Sequence, residues 1–73
     1  MGKLRVLSGR EVCTILESRG FAVVRQRGSH IVVQKRLDAT TATVPEPDHA
    51  ELKLGTLASL IRQSGVPRTL FET

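Results

Sequence analysis

Residues 21–35 read FAVVRQRGSHIVVQK, and the rest of the predicted fold is arranged around this segment. Two apolar, β-branched runs flank a polar segment, RGSH, at residues 27–30. Runs of this kind, separated by a short turn that contains glycine, are typical of a β-hairpin. We therefore predict strands near residues 21–26 and 30–35.

A helix is predicted on the N-terminal side of this hairpin. Ser8 and Glu11 have the spacing of a capping box, in which each side chain accepts a hydrogen bond from the backbone of the other residue. Gly20 can adopt the left-handed conformation that often follows the last residue of a helix. These signals predict a structural helix over about residues 9–19.

A third strand and a second helix are predicted after the hairpin. Residues 40–44 are Thr-rich and predict a strand, which Pro45 and Pro47 are expected to end because proline cannot donate to a neighbouring strand. Thr56 is predicted to be the N-cap of a helix over residues 56–64.

The predicted order is helix, three antiparallel strands, helix, which is an α+β domain spanning residues 1–73. Both helices are expected to pack on one sheet face and to leave the other face open to solvent. Leu70 and Phe71 are expected to fold back over the core, because a chain of 73 residues has few apolar side chains to spare.

Composition restricts the classes of protein to which the chain can belong. A hydrophobic content of 40% with 25% charged residues indicates a folded, soluble protein. Cys13 is the only cysteine, so no internal disulfide and no zinc-site spacing is present, and no metal or cofactor is expected. No apolar run is long enough for a signal peptide or a membrane span, so we expect a cytoplasmic protein with no membrane partner.

The charge is distributed unevenly along the chain. Residues 1–36 carry a net charge of +6 and residues 37–73 a net charge of −2, so the basic half surrounds the turn. Clustered positive charge is typical of a protein that binds a phosphate backbone, although an ordinary solvated surface remains an alternative. With two Phe and no Trp or Tyr, the chain has no aromatic stacking platform, which favours recognition of RNA backbone and shape.

The turn carries the residues from which an RNA-cleaving site can be built. Such an enzyme needs groups that take a proton from the 2′-hydroxyl and give one to the leaving 5′-oxygen, and histidine does both near neutral pH. His30 is the candidate, and a plain surface histidine is the alternative. Gly28 permits close approach of the backbone to a phosphate, and Ser29 can donate to its oxygens. The hairpin also carries three cations expected to balance the phosphate charge: Arg25, Arg27 and Lys35.

Two further side chains have groups capable of chemistry. His49 is a possible second proton-transfer group if its loop folds back over the hairpin, and a solvated loop histidine is the alternative. A Cys–His pair would need an accessible thiol, whereas Cys13 is predicted to pack inside the first helix.

Several segments resemble the HicA (YcfA-like) toxin family, in order and over nearly the whole chain. They are Gly20-Phe21, Arg27-Gly28-Ser29-His30, Thr43-Val44-Pro45, the His49 loop, Leu52-Lys53-Leu54-Gly55-Thr56-Leu57 and Ile61-Arg62-Gln63-Ser64-Gly65. The resemblance implies a fold like that of double-stranded-RNA-binding domains. It also implies a metal-independent mRNA interferase of a type II toxin–antitoxin system, neutralised by a HicB-type antitoxin. The family's catalytic histidine corresponds to His30, and Lys53 is counted with the RNA-binding residues.

Two functions from different classes therefore remain open. The first is a toxin endoribonuclease that acts on mRNA, is expected to be monomeric without its antitoxin, and uses His30 for proton transfer. The second is a non-catalytic RNA-binding module in which the histidine only contacts phosphate or a 2′-hydroxyl. The first requires His30 to be exposed on the open sheet face or its rim, with no buried carboxylate holding it.

Overall fold

A computed structural model describes residues 2–73 and contains the predicted order of elements. In chain order these are α1 (Gly9–Glu17), β1 (Ala22–Arg27), β2 (His30–Arg36), β3 (Thr41–Pro47), α2 (Leu54–Ser64) and a 3₁₀ helix (Arg68–Phe71). The strands form one antiparallel sheet in the order β1-β2-β3. The predicted α+β arrangement is confirmed. No helix within residues 2–73 has the length and apolar character needed to cross a bilayer.

Helix α1 begins at the predicted capping box. The amide of Glu11 donates to Ser8 Oγ at 3.1 Å, and the amide of Ser8 donates to Glu11 Oε1 at 2.9 Å. The helix ends at Glu17, two residues earlier than predicted, and Gly20 then takes the left-handed conformation with φ 97°. The buried face of α1 is directed at the sheet through Val12 and Leu16.

The predicted hairpin is present, and its turn has two residues, Gly28 and Ser29, because β1 extends one residue further than predicted, to Arg27. Gly28 has φ 57° and Ser29 does not have a positive φ, which matches turns that place glycine at the first central position. Arg27 pairs with His30 across the turn, and a bulge at Val24 then shifts the register. Such bulges bend and twist an edge strand, which here is β1.

The side chains of β2 alternate between the two faces of the sheet. Ile31 and Val33 are buried on the face that the helices cover, whereas His30 and Val32 lie on the other face, which we call the open face. The core is one contiguous cluster beneath the helices: Leu7, Val12, Cys13, Leu16, Phe21, Ile31, Val33, Val44, Leu52, Leu57, Leu60, Ile61, Val66 and Phe71.

The prediction that Pro45 and Pro47 end the third strand was wrong. Strand β3 continues through both, with Pro45 opposite Val32 and Pro47 opposite His30. Strand β3 is at the edge of the sheet, so the backbone nitrogens of Pro45 and Pro47 can face solvent. A proline at such a position removes no hydrogen bond to the neighbouring strand. The sequence pattern indicated the strand but not its place at the edge.

The predicted N-cap of the second helix was also wrong. Helix α2 begins at Leu54, with Lys53 as an N-cap that makes no side-chain hydrogen bond, and Thr56 lies inside the helix. Leu52 is buried and its amide donates to Leu7 O at 2.8 Å, so tertiary contacts fix where the helix begins. Gly65 ends it as predicted, with φ 69°.

The C-terminal tail covers the core with only one of the two residues expected to do so. Phe71 is 1% exposed and Leu70 is 37% exposed, so the expectation for Leu70 was wrong. In a 3₁₀ helix side chains three apart align, so adjacent residues point in different directions. The amide of Arg5 donates to Phe71 O at 2.8 Å and ties the two ends of the chain together.

Candidate functional site

His30 is the first residue of β2 and is exposed on the open face. Its cross-strand neighbours are Arg27 on β1 and Pro47 on β3. Directly opposed side chains of an antiparallel pair have Cβ atoms about 5 Å apart, so the Arg27 guanidinium is within reach of a group that touches the imidazole. Arg27 and His30 lie opposite each other because the turn between them has only two residues, which fixes the register of the two strands.

A second row of side chains lies beside the first on the same face. Arg25 pairs with Val32, and Val32 pairs with Pro45, so the row crosses all three strands. Residues two apart on a strand are separated by about 7 Å. The two rows enclose an open depression of about 360 Å³, lined by Arg25, Arg27, His30, Val32 and Pro45.

The positive charge around this depression is not neutralised within residues 2–73. The ion pairs within residues 2–73 join Arg10 to Asp48 at 3.3 Å and Arg68 to Glu72 at 2.8 Å. Neither pair involves a residue that lines the depression. No carboxylate of the described chain pairs with His30. The local field therefore favours an anionic ligand such as a phosphate.

Gly28 and Ser29 form the rim of the site. A Cβ atom added to Gly28 would meet no atom within 4 Å, so the positive φ, and not crowding, calls for glycine at this position. The carbonyl of Ser29 accepts a hydrogen bond from the Asp48 amide at 2.6 Å. The turn is thereby fixed to the loop that follows β3.

The two lysines among the predicted RNA-binding residues lie away from the open face. Lys35 is an odd-numbered residue of β2 and points to the opposite face from His30. Its stem passes 3.3 Å from where a Cβ of Gly20 would be. Lys53 is the N-cap of α2, in the helical layer. The structure brings Arg25, Arg27, Gly28 and Ser29 together with His30, but not these lysines.

His49 lies in the loop between β3 and α2. Its carbonyl accepts from the Gly9 amide at 2.9 Å, which holds the loop against the start of α1, and its side chain is exposed. The neighbouring Asp48 contacts the hairpin turn, but His49 does not line the depression. A proton-transfer role for His49 stays a prediction.

Two buried ionisable groups lie on the other side of the sheet. Glu46 is 1% exposed, and neither carboxylate oxygen has a hydrogen-bond partner in the described part of the chain. Burial, reinforced by the charge of Asp48, raises its pKa to about 7. Burial, with a smaller effect from Glu17, raises the pKa of the Cys13 thiol to about 11, so the thiol stays protonated at neutral pH. A protonated, buried thiol is a poor nucleophile, which argues against thiol chemistry.

Sequence reasoning missed three residues that the structure makes prominent. Val32 stands two residues after His30, so strand alternation alone would have placed it on the same face. Pro45 and Glu46 were missed because the strand was predicted to end before them. Their positions follow from the full length of β3.

Comparison with known proteins identifies a family. The family model described as "HicA toxin of bacterial toxin-antitoxin" matches residues 9–66, a region that contains both α-helices, all three strands and the depression. The comparison with curated proteins found no match, and neither did the comparison with solved structures.

Proposed function

Because the chain belongs to the HicA toxin family of bacterial toxin–antitoxin systems, we propose that it is a metal-independent endoribonuclease that cleaves mRNA and uses His30 for proton transfer. The observation that carries the proposal is an exposed histidine beside two arginines that have no carboxylate partner within residues 2–73. Proton transfer and charge stabilisation are the two contributions that RNA cleavage requires from a protein.

The proposed reaction is an internal transfer at phosphorus. The 2′-oxygen forms a bond to phosphorus as its proton leaves, and the bond from phosphorus to the 5′-oxygen breaks as that oxygen gains a proton. The products are a 2′,3′-cyclic phosphate and a 5′-hydroxyl. His30 takes or gives one of these protons, and Arg25 and Arg27 stabilise the charge on the phosphate oxygens.

A toxin of such a system has an antitoxin partner. We propose that this partner is a HicB-type protein that covers the open face, and that the free toxin is monomeric and acts in the cytoplasm, where mRNA is found. Gly28 and Ser29 are proposed to contact RNA with the two arginines. Lys35 and Lys53 are proposed to attract RNA through the overall positive electrostatic field, without contacting the bound phosphate.

The experiment compares RNA cleavage by the purified protein and by His30→Ala, in the presence of a chelator. We expect cleavage in chelator, cyclic-phosphate ends on the products, and a loss of about 10²–10⁴-fold in rate for His30→Ala. Gln34→Ala is the matched control, since Gln34 is on the same strand and face and its side chain donates to Thr43 at 3.2 Å, away from the depression. His49→Ala tests the second proton-transfer group.

A non-catalytic RNA-binding module is the second candidate. It is favoured by one observation, namely that His49 does not join His30 at the depression. If His30→Ala cleaves RNA as fast as the parent, or if the parent does not cleave at all, this second function replaces the first.

A further inference from the structure

The depression beside His30 has a floor that phosphate binding does not explain. Val32 and Pro45 form it, and neither side chain has an atom that donates or accepts a hydrogen bond. Val32 is half-buried and Pro45 is exposed, so the floor is open to a ligand. An apolar surface in the middle of a charged site is typical of a place where an apolar part of the ligand is bound.

We propose that this floor, defined by Val32 and Pro45, binds one unpaired nucleobase of the RNA, so that the substrate is single-stranded at the point of cleavage. The inference rests on the proposed function, because it names the form of RNA that the same site accepts.

The arrangement of charge supports a nucleotide over other apolar ligands. Arg25 lies in the same row as the floor, and Arg27 lies in the row of His30. A nucleotide has a flat, apolar base face and a charged phosphate, and the depression is lined by an apolar floor and two arginines. Guanidinium planes also stack on bases, which compensates for the missing aromatic side chains.

The two phenylalanines of the chain do not take part. Phe21 and Phe71 are both buried in the core, so stacking on the open face must use arginine planes and aliphatic carbons. A base within a duplex has its faces covered by its neighbours and cannot reach such a floor unless it leaves the stack. A paired RNA is therefore a poor ligand at this position.

The floor accepts a base without identifying it. Base identity is read through hydrogen bonds to the base edges, and the floor offers no group that makes them. The expected behaviour is thus a dependence on the presence of a base with little dependence on which base it is.

The test measures binding and not cleavage, so that it is independent of His30 chemistry. Two fluorescent 2′-O-methyl oligonucleotides of equal length serve as probes, and neither can be cleaved because both lack the attacking hydroxyl. One probe carries a base on every residue, and the other is abasic at every residue. We expect the abasic probe to bind the parent roughly 5- to 150-fold more weakly, the contribution of one stacked base. A 2′-O-methyl duplex of the same sequence should also bind more weakly than the single strand.

A floor variant and a matched control complete the design. Val32→Thr has nearly the same shape but introduces a hydroxyl, and it should reduce the ratio between the two probes. Val24→Thr makes the same change on the exposed bulge of β1, outside the depression, and should leave the ratio unchanged. Thermal unfolding of both variants shows that each is folded.

Three results would overturn the inference. The first is that the parent binds the base-bearing and abasic probes equally. The second is that Val32→Thr leaves the ratio of the two affinities unchanged. The third is that Val32→Thr loses only its binding to a HicB-type antitoxin. The last would assign the floor to a protein side chain. Loss of the endoribonuclease proposal would instead appear as His30→Ala cleaving normally, while the binding ratios stayed as expected.

Discussion

Glu46 is a buried carboxyl group on the sheet face whose apolar side chains pack against the helices. It lies opposite Ile31 on β2, and Asp48 on its own segment and Cys13 from α1 are close enough to interact with it. Ionising it in this position costs free energy because the carboxyl group is shielded from bulk solvent and no donor within residues 2–73 bonds to it. The proton on Glu46 is therefore part of what stabilises the fold.

Between pH 5 and pH 8 the stability of the protein should depend on pH through Glu46. In the unfolded chain Glu46 loses its proton near its ordinary pKa of 4.5, whereas the folded protein keeps the proton until about pH 7. The free energy of unfolding should thus fall as pH rises between these values, by on the order of 3 kcal/mol, and stay at the lower level above pH 7.

Urea unfolding between pH 5 and pH 8 measures this dependence. Glu46→Gln should remove most of it and be more stable than the parent at pH 8, because the amide has no charge to bury. Glu51→Gln, at an exposed position, should keep the parental dependence. A Glu46→Gln protein with the parental pH dependence would show that another group is responsible.

His30 contributes to the site but not to the core. Its side chain is exposed at a strand end, so His30→Ala should change the free energy of unfolding by no more than about 0.5 kcal/mol. RNA affinity should also change little because the arginines carry the charge. Denaturant unfolding and anisotropy measure both, and a large loss of stability would mean that any loss of cleavage reports unfolding.

Helix α1 begins in close contact with the backbone at the end of β3. A Cβ at Gly9 would overlap the Pro47 carbonyl oxygen and lie 3.0 Å from Asp48 Cα, whereas a Cβ at Gly55 in α2 would meet nothing within 4 Å. Gly9→Ala should destabilise the protein by about 1–3 kcal/mol, since backbone must move. Gly55→Ala should stabilise it by about 0.5–1 kcal/mol through helix propensity.

Thermal and urea unfolding of this pair compare the same substitution at two helical glycines. Equal shifts in both variants would contradict the close approach of α1 to the end of β3. The Gly9 contact matters for the site because the loop it touches also holds the hairpin turn through the Ser29 carbonyl.

The sequence predicted the elements whose signals are local. The Ser8–Glu11 capping box and the Gly28 turn each involve a few adjacent residues, and both are confirmed. The end of β3 and the start of α2 depend on which strand is at the edge and on where Leu52 is buried, and no local pattern carries that information. In the candidate site only Pro45 follows this division, because its place opposite Val32 depends on the full length of β3. Val32 could have been placed beside His30 by strand alternation alone.

At the scale of the whole molecule, the charge is sorted by face as well as along the chain. Arg25 and Arg27 are on the open face, whereas Lys35 is on the opposite face of the sheet. The charge count predicted a basic region, but only strand alternation shows which cations can act on one ligand.

RNA binding should therefore be salt-sensitive, with an unequal contribution from these cations. Replacing Arg25 or Arg27 by alanine should flatten the slope of log affinity against log salt by roughly one for each phosphate that the variant no longer binds. Lys35→Ala should change the slope less, and Arg62→Ala, on the exposed side of α2, serves as the control. Anisotropy titrations at several salt concentrations measure the slopes, and equal slopes for all four variants would contradict a single binding face.

The two-residue turn at Gly28 and Ser29 has a consequence for how such a protein is controlled. A long loop would let β1, with its arginines, and β2, with its histidine, move apart. The protein would then have an inactive conformation of its own. Here the two strands are fixed together as soon as the chain folds, so the proposed site has nothing to assemble and nothing to open. The turn itself therefore offers no means of switching the site off, and in a toxin–antitoxin system that restraint comes from a second protein, the antitoxin.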